Sequence, residues 1–211
     1  ASDVYKRQAL TQFLYRALHE LGVSVALADE FASRDIRTHG APDRVLAPFE
    51  QLRYALHQRR LEEQAAAQGR VVISESPSLV SYVYASLETR TLQSPRVSLF
   101  MQDLLAFWPE AKQRYQHIYL LQAEAAFEID GVRFHDAMEA AAMEQLLKAT
   151  LAEYDIPYTL LTGTVLQRAA RVVEDIIVAG EAPTWVYEKF LSTFTDPLTG
   201  QPLQVQPVLF T

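Results

Sequence analysis

The sequence predicts an α/β domain built on a doubly wound, mostly parallel sheet, and three observations carry that prediction. Four short apolar runs, at residues 23–27, 70–75, 117–121 and 158–161, are rich in Val, Ile, Leu and Tyr. Stretches of ten or more helix-forming residues separate them, and a crossover of that length joins parallel strands in the right-handed sense. The chain of 211 residues, 49% hydrophobic and 21% charged, is one medium-sized domain whose core needs neither disulfides nor metals.

The first helix is expected over residues 9–21, where Leu10, Phe13, Leu14, Ala17, Leu18 and Leu21 recur at three- and four-residue spacing and Gly22 supplies the stop. The first strand, 23–27, runs out into Ala28-Asp29-Glu30-Phe31. Residues 32–48 are polar, with Gly40 and two prolines, and read as an ordered loop with a helical turn. A long helix over 48–68, closed by Gly69, carries a broken stripe of Phe49, Leu52, Leu56 and Leu61. Arg70-Val71-Val72-Ile73-Ser74-Glu75 is the second strand, a run of the kind buried on both faces of a parallel sheet, and again a carboxylate follows it.

Helices are expected near 79–87 and 97–114, then a strand at 117–121. A loop with Asp130-Gly131-Val132-Arg133-Phe134 leads to a helix over 135–154, a fourth strand at 158–161, a turn at Gly163 and a strong helix over 165–178. From Glu181 the chain changes character, with four prolines and the aromatic series Trp185, Tyr187, Phe190 and Phe194. It reads as a tail packed across the domain of residues 9–180, not as a second domain. Ligands of such sheets bind beyond the carboxyl ends of the strands, which here carry Glu30, Glu75 and the loops to Asp130 and Gly163.

Composition narrows the chemistry. The glycines number 7, about half the usual ~7%, and stand alone at 22, 40, 69, 131, 163, 180 and 200, so no glycine-rich phosphate loop exists in these residues. With 19 Lys+Arg against 26 Asp+Glu the net charge is −7, which argues against a grip on nucleic-acid backbone. Zero cysteines remove disulfides, thiolate zinc sites and cysteine nucleophiles. Five histidines show no metal spacing, and there is no Gly-x-Ser-x-Gly elbow. Without an apolar run of membrane length or a signal-peptide core, a soluble cytoplasmic protein is expected.

The first eight residues look foreign to this pattern. Asp3-Val4-Tyr5-Lys6-Arg7-Gln8 is what GAT GTG TAT AAG AGA CAG encodes, which resembles the end of a transposon adapter used in sequencing libraries; a native arm is the alternative. Setting it aside leaves a domain that opens on a helix with no strand before it. From there, the order of helix, strand ending in Glu30, long helix, Val71-Val72-Ile73-Ser74-Glu75-Ser76-Pro77, Tyr119-Leu120-Leu121, Asp130-Gly131-Val132-Arg133-Phe134 and Leu160-Leu161-Thr162-Gly163 followed by Arg168 resembles the NadR-like P-loop ATPase and kinase family, over residues 9–178. In that family the first helix directly follows a Gly-x-x-x-x-Gly-Lys-Ser/Thr loop. The resemblance therefore implies a P-loop NTPase fold lacking its first strand and phosphate loop.

Phosphoryl transfer needs a phosphate cradle, a magnesium site, a residue that positions the acceptor and cations on the transferring group. The resemblance offers candidates for the last three. Glu75 stands where a magnesium-facing acid would, although the family usually has Asp there, and a loop carboxylate before Pro77 is the alternative. Glu30 is the acceptor-side base or binds substrate hydroxyls, with Arg34 pairing it or touching a phosphate, against a plain surface ion pair. Asp130 would bind the acceptor, and Arg133 would act as a lid arginine on the transferring phosphate, against an ordinary turn with an exposed arginine. Gly163 and Arg168 fall on the adenine side, though Arg168 reads better as part of a solvated helix face shared with Arg171. Arg59, Arg60 and the nearby glutamates likewise read as a solvated face.

The complete protein is thus expected to bind ATP and Mg2+ and to phosphorylate a nucleoside-like small molecule, and the present chain to be inactive. The alternative is a nucleotide-dependent regulatory or interaction ATPase without a small-molecule acceptor. Glu30, Arg34 and Arg133 converging on a pocket would favour the kinase, and Phe49, Tyr82 or the tail filling it would favour the regulator.

Overall fold

Alternate residues of the strands pack on opposite helix layers, and this sets the architecture. The computed structural model describes residues 3–40, 47–90, 95–121 and 137–203. Its elements run α1 (Asp3–Glu20), β1 (Val25–Ala28), α2 (Phe31–His39), α3 (Ala47–Ala66), β2 (Val71–Ser74), α4 (Val80–Glu88), α5 (Pro95–Leu105), α6 (Ala111–Arg114), β3 (Tyr119–Leu121), α7 (Ala137–Glu153), β4 (Thr159–Leu161), α8 (Val165–Val178) and α9 (Trp185–Thr193).

Val25, Val71, Ile73, Tyr119, Leu121 and Leu161 all pack on one apolar cluster with Leu10, Leu14 and Leu18 of α1, Leu166 and Val173 of α8, and Phe190 of α9. The alternate residues turn the other way. Ala26, Ala28 and Val72 meet Ala65 and Leu61 of α3, while Ile118 and Leu120 meet Leu79 and Val83 of α4 and Leu151 of α7, around the fully buried Trp108. Helices therefore cover both faces, as doubly wound strands require.

The strands do not form one continuous sheet among the described residues. β1 pairs in parallel with β2, Val25 opposite Val71 through Ala28 opposite Ser74, and β3 pairs in parallel with β4, Tyr119 opposite Thr159 through Leu121 opposite Leu161. The C-terminal end of α8 gives the relative direction of the two pairs. Arg70, at the start of β2, donates from Nε to Glu181 at 2.6 Å and from Nη2 to the Gly180 carbonyl at 3.2 Å. Tyr119, at the start of β3, donates to Asp175 at 2.9 Å. Both pairs thus begin at the same end of the molecule and run the same way.

Several local expectations change. α1 begins at Asp3, so the residues read as adapter-derived are helical. Gly22 ends it as expected, with the Val23 N–H reaching back to the Leu18 carbonyl at 2.9 Å. Within residues 32–48, read as an ordered loop with a helical turn, the chain up to His39 belongs to α2, because Phe31 stacks on His57 of α3 with centroids 4.4 Å apart and Arg53 of α3 pairs with Asp35. The helix expected over 97–114 is broken into α5 and α6. β2 is half-buried along its length, not buried on both faces. In the tail, Val186 and Phe190 of α9 are fully buried, whereas Trp185 is exposed. Among the described residues, no helix is long and apolar enough to cross a membrane.

Candidate functional site

Parallel pairing carries the two acidic strand ends to the same place. With Ala28 opposite Ser74, the Glu75 N–H continues the ladder to the Ala28 carbonyl at 3.1 Å, so Glu30 and Glu75 leave the sheet side by side. The first turns of α1 lie over them. Arg7 Nη2 donates to Glu30 Oε2 at 2.9 Å, and Arg7 Nε lies 3.9 Å from Glu75 Oε1. Ser33 of α2 donates its hydroxyl to the same Glu30 oxygen.

The electrostatics follow from this packing. Glu75 is 5% exposed. Burial raises its pKa; Arg7 acts against that, Glu30 adds to it, and the result stays above the ordinary carboxylate range. The Arg7 guanidinium loses basicity by burial but gains more from Glu30, Tyr84 and Glu75, and ends above its ordinary value. Two facing atoms of this cluster, Arg7 Nε and Glu75 Oε1, are buried with no hydrogen-bond partner. The group is a cation between two carboxylates, with open polar atoms between the cation and the more buried of them.

A second polar layer holds the strand end from below. Gln58 of α3 accepts from the Phe31 N–H at 2.8 Å and donates to Ser74 Oγ at 3.4 Å. Ser74 donates to Glu62 Oε1 at 2.8 Å, as does the Ser78 N–H at 3.3 Å, and Glu62 Oε2 accepts from Arg114 Nε at 3.0 Å and Tyr115 Oη at 2.9 Å. Glu62 is 5% exposed. The solvated face expected around it is therefore corrected, since Glu62 points inward as the hub joining α3, β2, α6 and the entry to β3.

Of the remaining candidates, Arg34 sends its backbone N–H to the Glu30 carbonyl at 3.4 Å. Arg34 is exposed on α2, with its guanidinium 5.6 Å from the Phe31 ring centre. Asp130 and Arg133 fall outside the described residues. Gly163 has φ +85°, a conformation that glycine, lacking a Cβ, adopts at little cost. A Cβ there would meet Gln167 Oε1 at 2.2 Å. That oxygen accepts from the Thr164 N–H at 2.8 Å in the capping box that starts α8.

Arg168 is 3% exposed, so it is no part of a solvated face; Arg171 is, and pairs with Asp175 at 3.2 Å. The N-terminus of α8 already holds an anion from the tail. Buried Asp196 accepts from the Leu166 N–H at 2.8 Å and from the Leu198 and Thr199 N–H groups at 3.1 and 3.0 Å. Burial raises its pKa, but these amides outweigh that and hold it below the ordinary range.

Sequence reasoning missed Arg7, Ser33 and Glu62. Arg7 had a readable signal, a cation one turn ahead of an apolar helix that must pack beside acidic strand ends. Among the described residues, no three His, Asp or Glu side chains converge as a metal cage. Glu75 is instead a single buried carboxylate, one of whose oxygens has no hydrogen-bond partner.

The profile of the AAA domain family matches residues 11–168, a span that contains α2, both strand pairs, Glu30 and Glu75, with Arg7 ahead of it. No curated protein and no solved structure matches the chain. By that match over three-quarters of its length, the chain belongs to the AAA domain family, whose fold is of the P-loop NTPase, nucleotide-binding type.

Proposed function

We propose that this chain is the sheet-end and acceptor side of a NadR-like P-loop kinase of the cytoplasm, one that takes ATP with Mg2+ and phosphorylates a nucleoside-like hydroxyl compound. The observation that carries the reading is the meeting of Arg7, Glu30 and Glu75 at the carboxyl ends of two parallel strands, where open α/β sheets bind their ligands. Bound Mg2+ would neutralise phosphate charge during transfer. Glu75 would hold it through its open oxygen. Glu30 would accept the proton of the acceptor hydroxyl, its carboxylate fixed by Ser33 and released from Arg7 when substrate enters. Arg34 and Asp130 would bind the acceptor, Arg133 the transferring phosphate, and Gly163 with Arg168 the nucleotide side.

The packing of the aromatic residues supports an acceptor over a purely regulatory role. Phe49 lies on Phe100 at 5.3 Å and Tyr82 on Trp108 at 6.1 Å. Phe190 and Phe194 of the tail lie on Phe13. These contacts engage the rings with other aromatic side chains rather than with Glu30. The sequence contains no Gly-x-x-x-x-Gly-Lys-Ser/Thr, so turnover requires that motif to be supplied ahead of α1.

The test measures ADP release from MgATP, across a panel of nucleosides, by the chain with a strand and a phosphate loop fused ahead of α1, so that Arg7 is kept. Nucleoside-dependent release that falls about 100-fold or more in Glu30→Gln is expected for a general base. Nucleoside-independent hydrolysis would instead establish the regulatory ATPase. Failure to bind MgATP at all would overturn both.

A further inference from the structure

Among the described residues, β1 pairs only with β2. The Ser24 and Ala28 carbonyls accept from the Val71 and Glu75 N–H groups at 2.9 and 3.1 Å. Successive residues of a strand turn their backbone groups to opposite sides, so Ser24, Ala26 and Ala28 serve β2, while Val25 and Leu27 turn their N–H and C=O outward. Beside these two residues runs an open groove of about 700 Å3. Four strand residues, at about 3.3 Å rise, 4.8 Å spacing and 10 Å between layers, fill roughly 600 Å3.

Nothing in the sequence of β1 blunts this edge. Strands kept unpaired carry Lys, Pro or a bulge, whereas Val25-Ala26-Leu27-Ala28 is uncharged and in unbroken register with β2. The edge of β4 offers less. Thr159 donates to the Ile118 carbonyl at 2.8 Å, so Thr159 and Leu161 serve β3 and Leu160 alone turns outward. The two ends of the β1 groove also differ in chemistry. α1 lies along it in the opposite direction to the strand: Gln12 donates to Asp29 at 3.3 Å beyond the carboxyl end of β1, and His19 lines the other end, where Gly22 turns the chain into Val23. Tyr15 stands between, its ring centre 6.0 Å from that of His19.

We propose that this edge joins a second copy of the chain, β1 against β1, antiparallel about a two-fold axis at Ala26. Val25 of each copy then faces Leu27 of the other, and their outward groups close four backbone hydrogen bonds. Ala26 meets its counterpart at the axis, a non-hydrogen-bonded position where Cα atoms approach to about 4.5 Å, and a methyl side chain permits that approach. The ladder stops there, because the Val23 N–H is already held by the Leu18 carbonyl at 2.9 Å. Charge decides the direction. Antiparallel pairing delivers the Asp29 carboxylate of one copy to His19 of the other, twice by symmetry, and brings the two Tyr15 rings together between these pairs. Parallel pairing would set Asp29 beside Asp29, and like charges across a ladder repel. A self-complementary patch of this kind closes on itself as a two-fold dimer. The dimer does not rest on the nucleotide reading, because backbone pairing needs no ligand.

Sedimentation velocity and amide hydrogen exchange on the full chain test it, at about 0.15 M salt, where repulsion between two chains of net charge −7 is screened beyond about 8 Å. The expected result is a concentration-dependent dimer, with exchange at Val25 and Leu27 at least about tenfold slower as it forms and little changed at Ala26. Charge exchange identifies the partner. Asp29→Lys and His19→Asp should each weaken the dimer at least about tenfold, and an equimolar mixture of the two should restore it as a heterodimer, since every carboxylate then faces a base again. Both positions are exposed, so neither change enters the core. A chain that stays monomeric at millimolar concentration overturns the proposal. So does a dimer whose protection falls elsewhere than Val25 and Leu27, or a mixture no tighter than its parts. Protection of the two amides in a monomeric chain by an added alternating Val-Thr peptide of about six residues would give the edge to a foreign strand and also overturn it.

Discussion

Arg7 bears on stability through two carboxylates at once. Its side chain keeps 23% of its surface in solvent, while those of Glu30 and Glu75 keep 10% and 3%. Removing one partner of a mostly buried ion pair leaves the other charge uncompensated, which costs more than the pair contributes net. Arg7→Met is expected to destabilise the chain by about 2–3 kcal/mol at pH 8, measured by urea unfolding. The pH dependence has a definite sign. Glu75 titrates above its unfolded value, so the folded state holds its proton more tightly, and stability falls as pH rises through that range. Arg7 opposes this shift, so its loss widens the window. The penalty should shrink as pH falls and Glu75 regains its proton, and a penalty independent of pH would show that Arg7 acts only by packing. Glu30 and Glu75 were legible from the sequence, because a carboxylate that ends a buried strand can lie only at the sheet's carboxyl edge. The inward turn of Glu62 was not, since it depends on Ser74, Ser78, Arg114 and Tyr115, all distant in sequence.

At the scale of elements, the strands were legible as short apolar runs, and α1 as a helix by its three- and four-residue apolar spacing. Gly22, Gly69 and Gly163 mark boundaries in local chemistry alone. α2 was not legible, since Ser33, Arg34, Asp35, Arg37 and Thr38 give it little apolar pattern and contacts with α3 hold it. The turn between α3 and β2 illustrates a constraint that only the fold displays. A Cβ on Gly69 would lie 2.7 Å from the Ala26 nitrogen and 2.8 Å from the Val25 carbonyl carbon, and neither backbone atom can move without shifting β1. Gly69→Ala is therefore expected to cost about 1–3 kcal/mol, the usual penalty of overpacking. Exchange should quicken at Val71 and Ile73 and remain as it was at Thr159 and Leu161. Unchanged stability would mean that β1 and the turn separate freely, which its four-residue ladder with β2 argues against.

For the whole molecule, the question is what makes two separate strand pairs one folding unit. The candidate is the layer of α1, α8 and α9, because its cluster touches β1, β2, β3 and β4 together, whereas the clusters on the opposite face divide between the pairs. The α/β layering was legible in the sequence; the split of the sheet was not, because pairing between strands leaves no mark on the periodicity of either one. Phe190 is the anchor of the shared layer. Its ring is fully buried and meets Phe13 and Phe194 with centroids 6.0 and 5.3 Å away. Phe190→Ala should cost about 3–5 kcal/mol, the range for a buried aromatic whose cavity cannot collapse. If the layer couples the pairs, native-state exchange at Ile73 and at Leu161 will rise by the same factor in this variant. A rise confined to one pair would show instead that β1–β2 and β3–β4 unfold independently, each on its own helices.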